Sequence, residues 1–402
     1  MFGIGFGGVP EFVTRAVAQR KRLNIFERKK VLVCIFQRGA MDGLMAVTPF
    51  TDQYLKEARP NLFMTADSKG TLLDLDGRFG LHPGFKSFYP LFKENQLAIV
   101  HGMGSPNTTR SHFDAQDYME SGTPFKKGTS SGWLNRAVGL LGHDGGPLRA
   151  LSLTSSLPRS LYGDNPTIAI SNLSDFSIQK GSNQGGKMAA QSLEELYDET
   201  SSELLKETGK ETFDVIDLFR KVRNQNYKPS NNAEYPNSAL GTALKQICQL
   251  IKMDGGLEVA FAESGGWDTH VNQGTENGVF SRNGRDFSNS ISAFWKDLDV
   301  WQSEVTIMTM TEFGRTVKEN GTGGTDHGRG SCMFVIGQNV SGGKVHGNIE
   351  PLVKENLADG RDLQVTTDFR SVFSEVADKH LKISDDKTLF PDWSGSKIGV
   401  MK

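Results

Sequence analysis

The sequence has few cysteines, no charge excess and no long apolar run, and each of these absences narrows the reading. Three cysteines in 402 residues cannot form the disulfide framework of a small secreted scaffold. Cys34, Cys248 and Cys332 lie in or beside apolar runs without paired metal spacing, which predicts buried free thiols. A net charge of -2 supplies no general basic field, so nucleic acid is not an expected partner. No apolar stretch approaches the roughly 20 residues needed to span a bilayer, so no transmembrane segment is expected.

What the chain has in excess is glycine. Its 45 glycines predict many tight turns and close backbone approaches. The N-terminal "GIGFGGVPEFVTRAVAQRKR" begins Gly-rich and apolar and reaches Ala16-Val17-Ala18, the small-x-small form of a signal cleavage site. Residues 1–30 are read either as the remnant of an export signal or as an exposed amphipathic segment.

From Val31 onward, apolar runs alternate with helical patterns. "VLVCIF", "LAIVHGMG", "ALSLTSS", "TIAIS", "LEVAFAE", "VTIMTM" and "SCMFVIG" read as strands. "SHFDAQDYMESG", "ALGTALKQICQLIKMDGG", "DFSNSISAFWKDLDVWQ" and "DFRSVFSEVADKHL" read as helices. Ser111 is expected to cap the first of these in a box with Asp114, and Gly122 to end it. The alternation predicts an α/β fold, a three-layer α/β/α sandwich with a mainly parallel sheet, in one domain over 31–402. Residues 171–238 are polar and then charged and helical, which reads as a helical insertion on that domain.

Reactive residue types follow the strand-like runs. Asp42 follows the first strand, and Arg110, Ser111 and His112 come after the second. Asp268 and His270 follow "LEVAFAE", and Glu312 and Arg315 follow "VTIMTM". Asp326 and His327 sit in the glycine-rich "ENGTGGTDHGRG". In a parallel sheet these ends gather along one edge. A mixed Asp/Glu/His set suits zinc, manganese or iron better than calcium. Taken singly, each has a simpler explanation: Asp42-Gly43 as a turn, Ser111 as a cap, Glu312 as the partner of Arg315.

"QRGAMDGL", "TTRSHFDAQ", "GGWDTH", "TEFGRT" and "GGTDHGRG", in this order, resemble the bacterial domain-of-unknown-function family 1501, related to the alkaline phosphatase and sulfatase superfamily. The resemblance implies an alkaline-phosphatase-like fold and one or two divalent metal ions. Their ligands would come from Asp42, Asp268, His270, Glu312 and His327, with Ser111 as nucleophile. Since arginine suits planar bidentate contacts, Arg110, Arg315 or Arg329 would neutralise the non-reacting oxygens of a small anionic ester. Glu312-Phe313 stands where the superfamily has an Asp-His pair, so one histidine ligand is absent and the second site is less complete. Many members look exported through twin-arginine signals, and Gly3 to Gln19 looks like the end of one. Two functions follow: a metal-dependent hydrolase of phosphate or sulfate esters, or a binding or scaffold protein with a degraded site.

Overall fold

Strand β1 (Val31–Gln37) is buried along its whole length and lies at the centre of a nine-stranded sheet. The computed structural model describes residues 29–66, 71–143, 148–173, 219, 221 and 226–402. The other main-sheet strands are β2 (Leu97–Gly104), β3 (Ala150–Ser152), β4 (Ile168–Ala169), β5 (Val259–Ser264), β6 (Val305–Met310), β7 (Ser331–Ile336), β8 (Val345–His346) and β9 (Thr367–Asp368). Their order is β8-β2-β7-β6-β1-β5-β3-β4, with β9 also paired to β2.

All pairings are parallel except those of β7, which runs against both β2 and β6. The reversal has a consequence for the site. The loop joining β6 to β7 leaves from and returns to the same edge, so residues 311–330 stay where the parallel strands end.

Alternate side chains of the strands enter two separate cores. Val33, Ile35, Ile99, Ala262, Ile307 and Phe334 face one side. There they meet helices α3 (Ala239–Lys252) and α4 (Val279–Leu298) through Leu244, Ile247, Phe287 and Ile291. Leu32, Cys34, Phe36, Val100, Phe261 and Met333 face the other. That side is covered by α2 (Trp133–Gly139) and α5 (Phe369–Leu381), through Trp133, Leu134, Val372 and Phe373. This is the expected three-layer sandwich: period-two alternation fills both faces and leaves the strand ends free for polar work. The three cysteines are free and buried.

Helix α1 (His112–Ser121) ends at Gly122 in the left-handed conformation, φ 71°, as its sequence predicts. Its start differs from the expectation. Ser111 makes no side-chain capping bond, and Asp114 pairs with Lys127 at 2.6 Å instead. Most of the charged segment expected as a helical insertion lies outside the described residues, as do residues 1–28. Among the described residues, no helix is long and apolar enough to cross a membrane.

Candidate metal centre

Three histidines from three chain segments point the same ring nitrogen at one place. His112 is the first residue of α1, His270 lies in the loop after β5, and His327 lies in the loop before β7. His112 Nε2 stands 3.0 Å from His327 Nε2, and His270 Nε2 stands 2.9 Å from it. Asp268 Oδ1 joins them, 3.1 Å from His270 Nε2, 3.4 Å from His327 Nε2 and 3.6 Å from His112 Nε2.

The opposite nitrogens decide the protonation. His112 Nδ1 meets Glu312 Oε1 at 2.8 Å, His270 Nδ1 meets Asp326 Oδ1 at 3.0 Å, and His327 Nδ1 meets the Arg110 carbonyl at 2.9 Å. A carboxylate or carbonyl oxygen can only accept, so each Nδ1 carries the hydrogen and each neutral ring turns an Nε2 lone pair inward. His327 Nε2 then faces two lone pairs, and a single proton could bridge only one of them. A cation held by His112, His327 and Asp268 would relieve the repulsion. Nitrogen and carboxylate donors whose far sides are held by carboxylate or carbonyl acceptors are what a zinc, manganese or iron ion takes.

Of the supporting carboxylates, Asp326 is exposed and Glu312 is not. Glu312 is fully buried, and the same Oε1 also accepts from Gln116 Nε2 and Gly39 N–H, both at 2.9 Å. Burial works against its charge, but the bonds from His112, Gln116 and Gly39 outweigh it and hold the carboxyl below the usual range. The bond to Glu312 leads in raising the pKa of His112. Burial lowers that of His327. Asp268 is held below the ordinary carboxylate range because the Arg315 contact outweighs its desolvation.

Glycine lets the loops approach this closely. A Cβ on Gly39, which has φ +114°, would press into the main chain of Trp267 and Asp268. One on Gly324 would strike the carbonyls of Thr269 and His270, and one on Gly314 the Gly330 carbonyl. The glycine excess in this part of the chain is therefore tied to three loops stacked backbone against backbone.

The model of a family described as a protein of unknown function (DUF1501) matches residues 97–392. The chain belongs to this family. Two solved structures are similar in outline to the DUF1501 chain. An alkaline phosphatase from the Antarctic bacterium TAB5 shares 12% identity at a TM-score of 0.32, over 78% of this chain and 93% of that one. The PsFucS1 sulfatase from Pseudoalteromonas sp. shares 12% identity at a TM-score of 0.37, over 98% of this chain and 78% of that one. No curated protein matches the chain.

Not every residue expected at the metal of this DUF1501 chain touches the cluster. Asp268, His270 and His327 converge there, but Asp42 and Glu312 do not present an oxygen to it. Asp42 is buried and bonded to Arg59 by both oxygens, at 2.9 and 3.1 Å. It also accepts from Gln273 Nε2 at 2.8 Å and caps Met45 N–H at 3.1 Å. A guanidinium thus takes both oxygens of Asp42, which were expected to face an ion. Glu312 acts from behind His112.

Two of the arginines are equally committed. Arg315 is buried, donating to the carbonyls of Gly39, Ala40, Trp267 and Thr325 and pairing with Asp268. It clamps the loops after β1, β5 and β6 and holds Asp268. Arg110 pairs with Asp359 and Asp362. Ser111 is exposed, immediately before His112. The residue that the sequence reading underrated is His112. Its only signal was a histidine at the first position of a helix that follows a strand end.

Proposed function

We propose that the chain holds one divalent ion between His112, His327 and Asp268, with His270 beside them, and hydrolyses small phosphate or sulfate esters there. The observation that carries this is the convergence of His112 Nε2, His327 Nε2 and Asp268 Oδ1, mutually within 4.8 Å, with His270 Nε2 beside the last two at 2.9 and 3.1 Å. A bound ion would supply Lewis-acid stabilisation of the transferring group and lower the pKa of a neighbouring hydroxyl.

The chain's own groups do the rest. Ser111 offers an exposed hydroxyl with no capping bond, one residue from a ligand. Helix α1 brings the positive end of its dipole to the same place, which favours an anionic group. Attack by the Ser111 oxygen on phosphorus or sulfur forms the seryl ester as the bond to the substrate's alcohol oxygen breaks. The hydroxyl proton passes to solvent, and the alcohol leaves with a proton from water. Water then cleaves the seryl ester and releases the inorganic anion.

One observation favours the alternative of a non-catalytic binding or scaffold protein. Arg315 is buried among carbonyl groups, and Arg110 is already paired with Asp359 and Asp362.

Metal analysis of protein purified without chelator, with a screen of phosphate and sulfate monoesters, separates the two. The hydrolase reading expects one ion per chain, activity lost on chelation and restored by zinc or manganese, and a Ser111→Ala variant that keeps its ion but not its activity. An ion with no turnover of any ester favours the scaffold. Full activity in Ser111→Ala removes the serine from the mechanism.

A further inference from the structure

Asp362 is fully buried, in the connection between β8 and β9. A carboxylate taken out of water is costly unless charged partners and hydrogen bonds compensate it. Here two arginines do so, one on each oxygen. Arg110 donates to Oδ2 through Nε at 2.8 Å and through Nη2 as well. Arg361 Nε donates to Oδ1 at 3.0 Å.

What the two arginines share is His327. The Arg110 carbonyl accepts from His327 Nδ1 at 2.9 Å, and Arg361 Nη2 donates to the His327 carbonyl at 2.9 Å. One buried acid therefore grips, through two neighbours, both the ring of this histidine and its main chain. His327 is also the member of the cluster whose Nε2 lies against those of both His112 and His270, at 3.0 and 2.9 Å. An acceptor on the far nitrogen of a ligating histidine fixes its tautomer and its direction. For His112 and His270 that acceptor is a side chain, Glu312 or Asp326. For His327 it is a main-chain oxygen, placed only as well as the residue that carries it. Arg110 is anchored in turn by its guanidinium, on the buried Asp362 and the exposed Asp359.

We infer that Asp362 is a positioning residue of the metal centre: acting through Arg110 and Arg361, it holds His327 with Nδ1–H on the Arg110 carbonyl and Nε2 toward the ion. The inference rests on the one-ion reading and not on hydrolysis. It also gives Arg110 a task away from the substrate, since its guanidinium serves to place a carbonyl. An ion pair that merely ties loops together would leave the ion unaffected, and the exposed Arg110–Asp359 pair is of that kind.

Two measurements on the full chain test this. Zinc affinity is read by competition with a chromophoric chelator. The tautomer of His327 is read in metal-free protein at neutral pH by long-range proton–nitrogen NMR, its signal assigned by loss in His327→Gln. Asp362→Asn should weaken zinc binding about tenfold or more and turn the single Nδ1–H tautomer of His327 into a mixture. Arg361→Met, at a half-exposed position, keeps the test open if Asp362→Asn does not fold, and should lose part of the affinity. Asp359→Asn should stay near the wild-type value. So should Leu244→Ala, which destabilises the core beneath α3 without touching the centre. Wild-type affinity and tautomer in Asp362→Asn and Arg361→Met would overturn the inference, as would an equal loss of zinc in Leu244→Ala. A wild type that takes up no zinc removes the metal reading, and the tautomer comparison then upholds or overturns the clamp on His327 by itself.

Discussion

Glu312 shows what a single buried carboxylate can do from behind a candidate ligand. Its Oε1 accepts from His112 Nδ1, Gln116 Nε2 and the Gly39 N–H, which fixes the imidazole's tautomer and its direction together. Glu312→Gln keeps the shape but removes the charge that makes His112 a better donor. Partners of this kind typically set metal affinity by 10–100-fold. The expected outcome is a zinc affinity weaker by about that factor, measured by competition with a chromophoric chelator, with the fold retained by circular dichroism. Wild-type affinity in the variant would mean that the carboxylate does not orient His112. The residue beside that ligand behaves differently. Ser111 makes no capping bond, so Ser111→Ala should change stability by less than about 0.5 kcal/mol, not by the ~1 kcal/mol of a lost cap.

At the scale of elements, the strands and helices were legible because each wrote its own period into the chain. β1 and β2 are continuous apolar runs, the mark of strands buried on both faces. The motifs at their ends named Asp268, His270 and His327 because an acid or histidine among glycines has few packing roles. Asp42 misled for the same reason. Its partner Arg59 is the last residue of "QYLKEAR", and Gln273 lies 231 positions away, so no local signal announced that its oxygens were taken. His112 was hidden by the opposite effect: a helix start explains Ser111-His112 locally, and only the tertiary fold brings His327 to it. The Asp42–Arg59 pair gives this scale its prediction. Arg59 also donates to the carbonyls of Thr316 and Val317, both at 2.8 Å, and so ties the loop after β1 to the loop after β6. Arg59→Met would leave Asp42 buried and uncompensated, at a cost of about 3–5 kcal/mol in urea denaturation. The folded variant should still bind one ion. Loss of the ion from folded protein would return Asp42 to the metal centre.

Across the whole molecule, acid should act first on three buried histidines. His82, His101 and His380 are buried, and burial pushes each pKa down to about 4. Their bonds hold the neutral ring. His101 takes the Gly102 N–H on Nδ1 at 2.9 Å and donates from Nε2 to the Val47 carbonyl at 2.8 Å. His82 does the same with the Gly84 N–H and the Thr275 carbonyl. His380 donates to the Val31 carbonyl at 2.9 Å, and its Nδ1 lies 3.0 Å from Thr306 Oγ1. A second proton would have to enter at an Nδ1 that already faces a donor. Between pH 6.5 and about 4 the unfolded chain binds these protons and the folded chain does not, so stability must fall as pH falls through that window. Each histidine contributes up to about 1.4 kcal/mol per pH unit. His112 has the opposite sign, since its pKa is raised, and its contribution is lost as pH rises above 6.5, outside this window. Denaturant titrations in the presence of chelator, taken from pH 7 to pH 4.5, should therefore show a steep loss of stability. Replacing His101 by Gln should remove about one proton from that slope, even if the variant is less stable at pH 7. A flat profile from pH 6.5 to 4.5, or a slope that His101→Gln leaves unchanged, would show that these rings do not govern the acid limit of the fold.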